Sequence, residues 1–377
     1  MRFNRFSHTA PDVLVVGAGP AGCCTALVLS LQGYQVIVID RAKDESVKAK
    51  IGECLPPRGL ACLKKLGLAQ RFHSDDHLKM VGYRVSWDAK GGYDRDFLAN
   101  PSGGGWIVNR ARFDHMLVSA AEQQGVQFYW NTKLTALCTT SDEYQRLGYW
   151  KAYCEINGCE QEILPKILVD ASGRSRAIAK RLDRKTRRLD GLVASIMRIK
   201  HTNKSTLPPH TVLIENTSQG WWYTAPVSDK CSVLCYFTDG DLPLPKSTEK
   251  MLALAKQNPE LCQRLSHCVI DSNHTLQRTA AYSSALDQCA GEGWLAVGDA
   301  ACSYDPLSSF GILSGIGSGY YGACAISAES KGKTGQLAAY QQLMQENFLC
   351  FIDIHQAEYK KVTQFQSDFW LRRQNSD

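Results

Sequence analysis

VLVVGAGPAGCCTALVLSLQGYQVIVID, residues 13–40, contains a whole strand–turn–helix–strand unit. Residues 13–16 are a short apolar run of strand type, GAGPAG follows at once, and a helical stretch runs from Cys23 to Leu31. Gly33 breaks that stretch, and VIVID (36–40) reads as a second strand ending in an acid. The spacing Gly17-x-Gly19-x-x-Gly22, with Pro20 and Ala21 between, lets the backbone turn tightly. It also brings a helix N-terminus up to a pyrophosphate, whose charge the unsatisfied amides and the helix dipole stabilise. Asp40, eighteen residues past Gly22 and followed by Arg41, is placed to accept hydrogen bonds from an adenosine ribose. A glycine-lined turn without a ligand fits the fingerprint alone. Strand, helix, second strand and terminal acid, all in order, point to a dinucleotide site.

A second stretch, GDAACSYDPLSSFGI (298–312), separates two kinds of dinucleotide. A strand over 294–297 delivers Gly298 and Asp299, a carboxylate where a polyhydroxylated chain can reach it. The ribityl arm of FAD is such a chain, and nicotinamide dinucleotides have none. Pro306 and Gly311 then give a kinked entry, with Ile312, to a helix predicted over 313–329. Its free amides are expected to face the pyrimidine end of a flavin. The competing reading is a glycine-rich helix start capped by Asp299.

With 377 residues, 44% hydrophobic and 21% charged, the chain is an ordinary globular protein of one large or two intimately joined domains. Its net charge of +6 has one local concentration, KRLDRKTRR (180–188), which reads as a solvated helix face. No basic stripe carries interleaved aromatics, so nucleic acid is not indicated. Fifteen cysteines occur without a single CxxC pair, so zinc-ribbon and iron–sulfur spacings are absent and no metal is expected. They read as reduced thiols of a cytoplasmic protein. Neither a signal peptide nor an eighteen-residue apolar run is present, so no membrane association is expected.

The pattern along the chain predicts an α/β protein with a Rossmann-like domain into which an antiparallel sheet is inserted. The first domain is discontinuous, over 11–80, 106–180 and 290–335. The second takes 81–105 and 181–289, where SIMRIK, HTVLIEN, GWWYTAP and CSVLCYFT read as antiparallel strands followed by a helical 247–266. Residues 336–377 are expected to form a helical C-terminal segment.

GAGPAG, DASGRSR (170–176) and GDAACSYDPLSSFGI resemble the three flavin-binding motifs of the para-hydroxybenzoate-hydroxylase-fold FAD monooxygenases. That resemblance implies FAD as cofactor, with reduced nicotinamide, NAD(P)H, as electron donor. It also implies that Arg110, in VNRARFD, contacts the cofactor, that Asp170 belongs to a turn serving it, and that a strand carrying Leu134 lies by the adenine. IGECLPP (51–57) is similar to a turn of flavin-dependent halogenases, geranylgeranyl-reductase-like proteins and tryptophylquinone-maturing flavoproteins, with Cys54 in place of its serine. GWWYTAP (220–226) stands where halogenases carry W-x-W-x-I-P, but Tyr223 and Ala225 break that signature. Lys79 falls roughly where halogenases keep the lysine that handles hypohalous acid; a surface lysine before a strand is the other reading.

Taken together these stretches most resemble flavoproteins that mature cysteine tryptophylquinone in lysine and glycine oxidases. What that implies is oxygenation, with molecular oxygen, of a tryptophan side chain in a partner protein, the precursor of a tryptophylquinone-containing amine or amino-acid oxidase. Glu53, Cys54 and Lys79 are the candidates near the reacting ring. A protein substrate also demands an open mouth, at whose rim or beside it Trp221, Trp222, Tyr223, Phe365, Phe369 and Trp370 are expected. Trp221 to Tyr223 read equally well as sheet core. A halogenase or small-aromatic hydroxylase, a geranylgeranyl-type reductase, and a flavin-bearing chaperone without turnover stay open as alternatives.

Overall fold

Val13–Val16 lies inside a parallel sheet because all four of its side chains are apolar and both sheet faces are covered. In the computed structural model, which describes residues 10–43, 54–88, 91–97, 100, 103–139, 150–156, 158–202, 211–228, 230–271 and 275–374, this strand pairs with Ile167–Asp170 on one side and Val36–Ile39 on the other. Trp294–Ala296 extends the sheet beyond Ile167–Asp170, and Gln127–Tyr129 extends it beyond Val36–Ile39. Ala290–Gly291 closes one edge antiparallel. Three strands far apart in sequence therefore run side by side and parallel. Each of the three quoted motifs starts where one of them ends.

The helix Pro20–Leu31 crosses this sheet against the long helix Gly311–Ser330. Small residues let the two backbones touch: Thr25 Oγ1 donates to the Gly319 carbonyl (3.2 Å) and Cys24 Sγ to that of Ile316 (3.3 Å). A Cβ on residue 319 would lie 2.6 Å from the Ala21 carbonyl oxygen. The run GILSGIGSG is thus a packing surface as well as a helix start.

The inserted sheet runs in the order Cys268–Ile270, Leu192–His201, Cys231–Asp239, Gly220–Ser228, Thr211–Thr217, Gly82–Ser86, Tyr93–Asp96, with Gln277–Ala280 as a further partner of Leu192–His201. Its pairings are antiparallel except for Thr211–Thr217 with Gly82–Ser86. The helical pattern over 247–266 resolves into Thr248–Ala255 and Pro259–Arg264, because Pro259 starts a helix more readily than it continues one. Cys54–Leu55, Gly105–Ile107 and Leu78–Met80 form a short separate ribbon. Thr186–Arg188 pairs with Ser284–Leu286, which pairs in turn with Cys302–Ser303 of the late motif, so strands from both sides of residue 290 share one sheet.

The C-terminal segment is helical over Gln336–Lys360 and Asp368–Gln374, and it is stitched to both large sheets. Tyr340 donates to the Ala296 carbonyl of the parallel sheet (2.8 Å). Trp370 Nε1 donates to the Thr217 carbonyl (2.8 Å), and Arg373 clasps Asp239 at 3.0 and 2.6 Å. The expected aromatic rim is therefore corrected, and for Trp221 to Tyr223 the sheet-core reading holds. Trp221, Trp222, Tyr223, Phe369 and Trp370 are all buried, and Phe365 packs partly buried against the same cluster. Strand alternation sends Trp222 under the helices Thr248–Ala255 and Pro259–Arg264, whereas Trp221 and Tyr223 face Cys54, Met80 and the C-terminal aromatics. Among the described residues no helix is long and apolar enough to cross a membrane, and none of the fifteen cysteines is joined in a disulfide.

Candidate functional site

The first turn is built by close approach. Gly17 has φ +115°, and a Cβ there would lie 2.3 Å from the Ala171 carbonyl oxygen; one on Gly22 would lie 2.0 Å from the Gly17 oxygen. Gly19, by contrast, has no atom within 4 Å of where its Cβ would be. It caps the helix Pro20–Leu31, whose first-turn amides receive no side-chain cap. Pro20 opens that helix and Ala21 is buried against the late motif. Asp40 Oδ2 accepts from the Ala18 amide (2.7 Å) and Oδ1 from the Ala42 amide (2.8 Å), which orients the carboxylate and leaves a lone pair on each oxygen. Arg41 beside it is exposed. The Asp40 carbonyl takes the Thr132 amide (2.8 Å), so the strand Thr132–Thr139 does start beside Asp40, with the Leu134 side chain turned into the core.

Asp170 departs from expectation. It is fully buried, with Oδ1 accepting from the Ser172 amide (3.1 Å) and hydroxyl (2.6 Å) and Oδ2 from the amides of Ile178 (2.8 Å) and Ala179 (2.9 Å). Four donors saturate the carboxylate, so it shapes the DASG turn and caps the short helix Ala177–Arg181 with nothing left for a ligand.

The late motif opens with a single 3-10 turn, Gly298–Ala300, locked from below by an arginine that the sequence reading passed over. Arg176, 2% exposed, donates Nε to the Ala300 carbonyl (3.0 Å) and Nη2 to Ser284 Oγ (2.9 Å). The Asp299 side chain is 37% exposed, and Arg174 Nε lies 3.5 Å from its Oδ2. Burial pushes this carboxyl above the ordinary Asp value, while the charges of Arg174, Arg176 and Arg110 oppose it. Arg110 is held by its own helix neighbour, donating Nε and Nη2 to Asp114 at 3.1 and 3.0 Å. The signal for the two missed arginines was present: they alternate with serine directly after the DASG turn.

Beyond Asp299, Asp305 Oδ1 takes the Leu307 amide (2.8 Å) and starts the one-turn Pro306–Ser308 segment. Ser309 follows at φ +53°. The helix begins at Gly311, two residues before 313, with Ile312 buried and no atom within 4 Å of a Cβ on Gly311. Phe310, one position earlier, is 40% exposed. Open backbone at Gly19 and Gly311 and half-exposed acceptors at Asp40 and Asp299 fit the phosphates, sugars and ring of FAD.

Of the three candidates near the ring, Glu53 lies outside the described residues. Ribbon register separates the other two. Cys54, Ile107 and Leu78 share one face, and Leu55, Trp106 and Lys79 the other. On the first face Cys54 Sγ lies 2.9 Å from Tyr223 Oη, buried under the inserted sheet. Tyr83, whose hydroxyl burial and the nearby Cys54 push up, hydrogen-bonds Ser309 of the late motif. Lys79 stands exposed on the second face, so the structure does not bring it to Cys54 and Tyr223. A cleft of about 400 Å³ lined by Pro11, Tyr34, Gln35 and Gln124 sits at the beginnings of the parallel strands, opposite the motif turns.

The sequence profile of the family described as "FAD binding domain" matches residues 10–344. Among curated proteins, the chain is 25% identical over 340 residues to a 1H-pyrrole-2-carbonyl-[peptidyl-carrier protein] brominase of Pseudoalteromonas luteoviolacea, covering 87% of this chain and 80% of that one. It is 27% identical over 372 residues to LodB of Marinomonas mediterranea, named as an FAD-dependent oxidoreductase, covering 96% of each. Its fold matches the myxobacterial chondrochloren halogenase CndH (TM-score 0.84, 21% identity, 97% of this chain and 86% of that one). It also matches the peptidyl tryptophan dihydroxylase QhpG (TM-score 0.75, 22% identity, 97% and 79%). The chain belongs to the FAD-binding-domain family and is a flavin-dependent oxidoreductase of the monooxygenase and halogenase fold.

Proposed function

We propose that this enzyme hydroxylates a tryptophan side chain held in a partner protein, the precursor of a tryptophylquinone-containing oxidase, in the cytoplasm and with NAD(P)H as reductant. In this reading the first-turn amides around Gly19 would hold the FAD pyrophosphate, Asp40 the ribose and Asp299 the ribityl chain. The amides after Gly311 would meet the pyrimidine end of the ring. Bound and reduced, FAD supplies the activation of molecular oxygen. The chain's own part is to exclude water and present the indole: Cys54, Tyr83 and Tyr223 would roof the ring, backed by the buried aromatic cluster of Trp221, Phe237 and Trp87.

The observation that carries hydroxylation over halogenation is the face on which Lys79 lies. An exposed amine on the side of Trp106 is not positioned to relay hypohalous acid to a substrate under the Cys54–Tyr223 roof. The fold shared with a peptidyl tryptophan dihydroxylase supports a protein substrate. Phe310, exposed within the late motif, offers an apolar side chain for a partner to cover. Halogenation is the second reading, favoured by the likeness to the brominase.

The test is intact-mass spectrometry of a precursor oxidase co-expressed with and without this protein. Gains of about 14 or 16 mass units per event on the partner, with free tryptophan untouched, are the expected result, because remote binding energy positions a held side chain and not a free one. Stable binding of the partner with no mass change would leave a chaperone. Turnover of free indoles or phenols with an unchanged partner would leave a small-aromatic hydroxylase.

A further inference from the structure

Asp305 is 1% exposed, and two side chains of the C-terminal helix converge on it, one of them tied in turn to the inserted sheet. Its Oδ2 lies 2.9 Å from His355 Nε2 and 2.8 Å from Tyr359 Oη, and Tyr359 Oη lies 3.0 Å from Trp221 Nε1. Donor roles follow from chemistry. An indole N–H can only donate, so Tyr359 accepts from Trp221 and spends its own hydrogen on Asp305. Burial alone would raise the Asp305 carboxyl, but the bond to His355 and its charge, the Leu307 amide and the Tyr359 hydroxyl hold it below the ordinary value. An ionised Asp305 needs a hydrogen on His355 Nε2. Asp190 is the other carboxylate facing this group, pushed up by burial and by Asp305, and Arg373 stands 5.3 Å from the Tyr359 ring centre.

The other oxygen of the same carboxylate fixes the late motif. Oδ1 takes the Leu307 amide, and the Asp305 carbonyl takes the Ser308 amide (3.0 Å) and hydroxyl (2.7 Å). These bonds set the turn that puts Ser309 in a left-handed conformation and starts the helix at Gly311. We propose that His355 and Tyr359 are positioning residues for the flavin: acting through Asp305, they hold the 305–311 turn in the conformation that receives the ring. The C-terminal helix is then part of the cofactor site, although it follows the last flavin motif and contributes no residue to it.

The test is titration of apoprotein with FAD, read by flavin fluorescence and the visible spectrum, so that neither partner nor turnover enters. His355→Leu should fold, bind FAD about tenfold more weakly and shift the visible bands, the scale of one lost hydrogen bond to a charged group. His355→Gln, whose amide N–H reaches about where Nε2 stood, should recover most of the affinity. Tyr359→Phe keeps the ring and should lose part of it. Asp353→Asn, exposed on the same helix, should bind as the parent does. Unchanged affinity and spectrum in His355→Leu would overturn the proposal. So would Leu and Gln variants that are equally impaired, since packing alone would then explain both. If His355→Leu does not fold, an FAD affinity in Tyr359→Phe equal to the parent's would overturn it.

Discussion

The two flavin-motif turns are built on opposite plans. Around Gly17–Gly22 the chain holds itself: backbone meets backbone, and the orienting acid, Asp40, bonds amides two and twenty-two residues away. Around Gly298–Gly311 the turn is held by side chains from elsewhere, Arg174 and Arg176 from the middle motif and His355 and Tyr359 from the C-terminal helix. A turn that is set by missing side chains breaks when one is added. A turn held from outside weakens by degrees, one support at a time.

The largest expected effect is at the first turn. In Gly22→Val the new Cβ would stand 2.0 Å from the Gly17 oxygen and 2.9 Å from the Ala171 Cβ, both on strand ends that cannot move apart. Overpacking of this kind costs about 1–3 kcal/mol or more, and here it deforms the cradle itself. Purified Gly22→Val should carry no FAD by absorbance at visible wavelengths and should melt at a lower temperature. A fully loaded variant would show that the turn is not the pyrophosphate site.

Asp299→Ala should act more mildly, because the neighbouring turn stays pinned by Arg176. Losing a charged acceptor at a ribityl hydroxyl should weaken FAD by about 1.5–3 kcal/mol, roughly tenfold to a hundredfold in dissociation constant. Fluorescence titration with the fold intact measures it. An unchanged constant would remove Asp299 from the site and leave the Gly298–Ala300 turn as a packing element.

The same contrast decides how much was legible in the sequence. The parallel sheet, the first turn and the inserted antiparallel sheet follow from local pattern, since apolar runs, glycine spacing and alternation are all short-range signals. Asp170 misled because its motif names a position and not a direction: four donors within nine residues turn the acid inward. Trp221, Trp222 and Tyr223 stayed open between rim and sheet core because strand alternation predicts two faces but not which faces other elements cover. The roles of His355, Tyr359 and Arg373 depend on contacts across 50, 54 and 134 residues, and no periodicity carries such information.

Acid offers a finer probe of the late turn. Asp305 lies below its ordinary 3.8 when folded, so in acid the folded chain binds fewer protons there than the unfolded chain. Its contribution to stability is fully present above about pH 5 and fades as pH falls through the folded value. Asp305→Asn should therefore melt below the parent at pH 7, and the gap should narrow as melts are taken toward pH 3. A gap that stays constant would mean that the bonds of Asp305 are made equally well without its charge.

The smallest effect belongs to Lys79, and it bears on chemistry more than on stability. An exposed strand residue opposite Trp106 should tolerate Lys79→Ala within about 0.5 kcal/mol, with FAD affinity and oxygenation of the partner unchanged. The parent enzyme, given reductant, oxygen, bromide and free tryptophan, should yield no brominated product by mass spectrometry. The two measurements constrain each other. If bromination occurs and survives Lys79→Ala, the enzyme releases an oxidised halide without an amine to guide it. If bromination occurs and disappears with the lysine, the ribbon must present its second face to the flavin when the cofactor is bound. Cys54 and Tyr223 would then lie behind the reacting centre, and the assignment of the roof would have to be reversed.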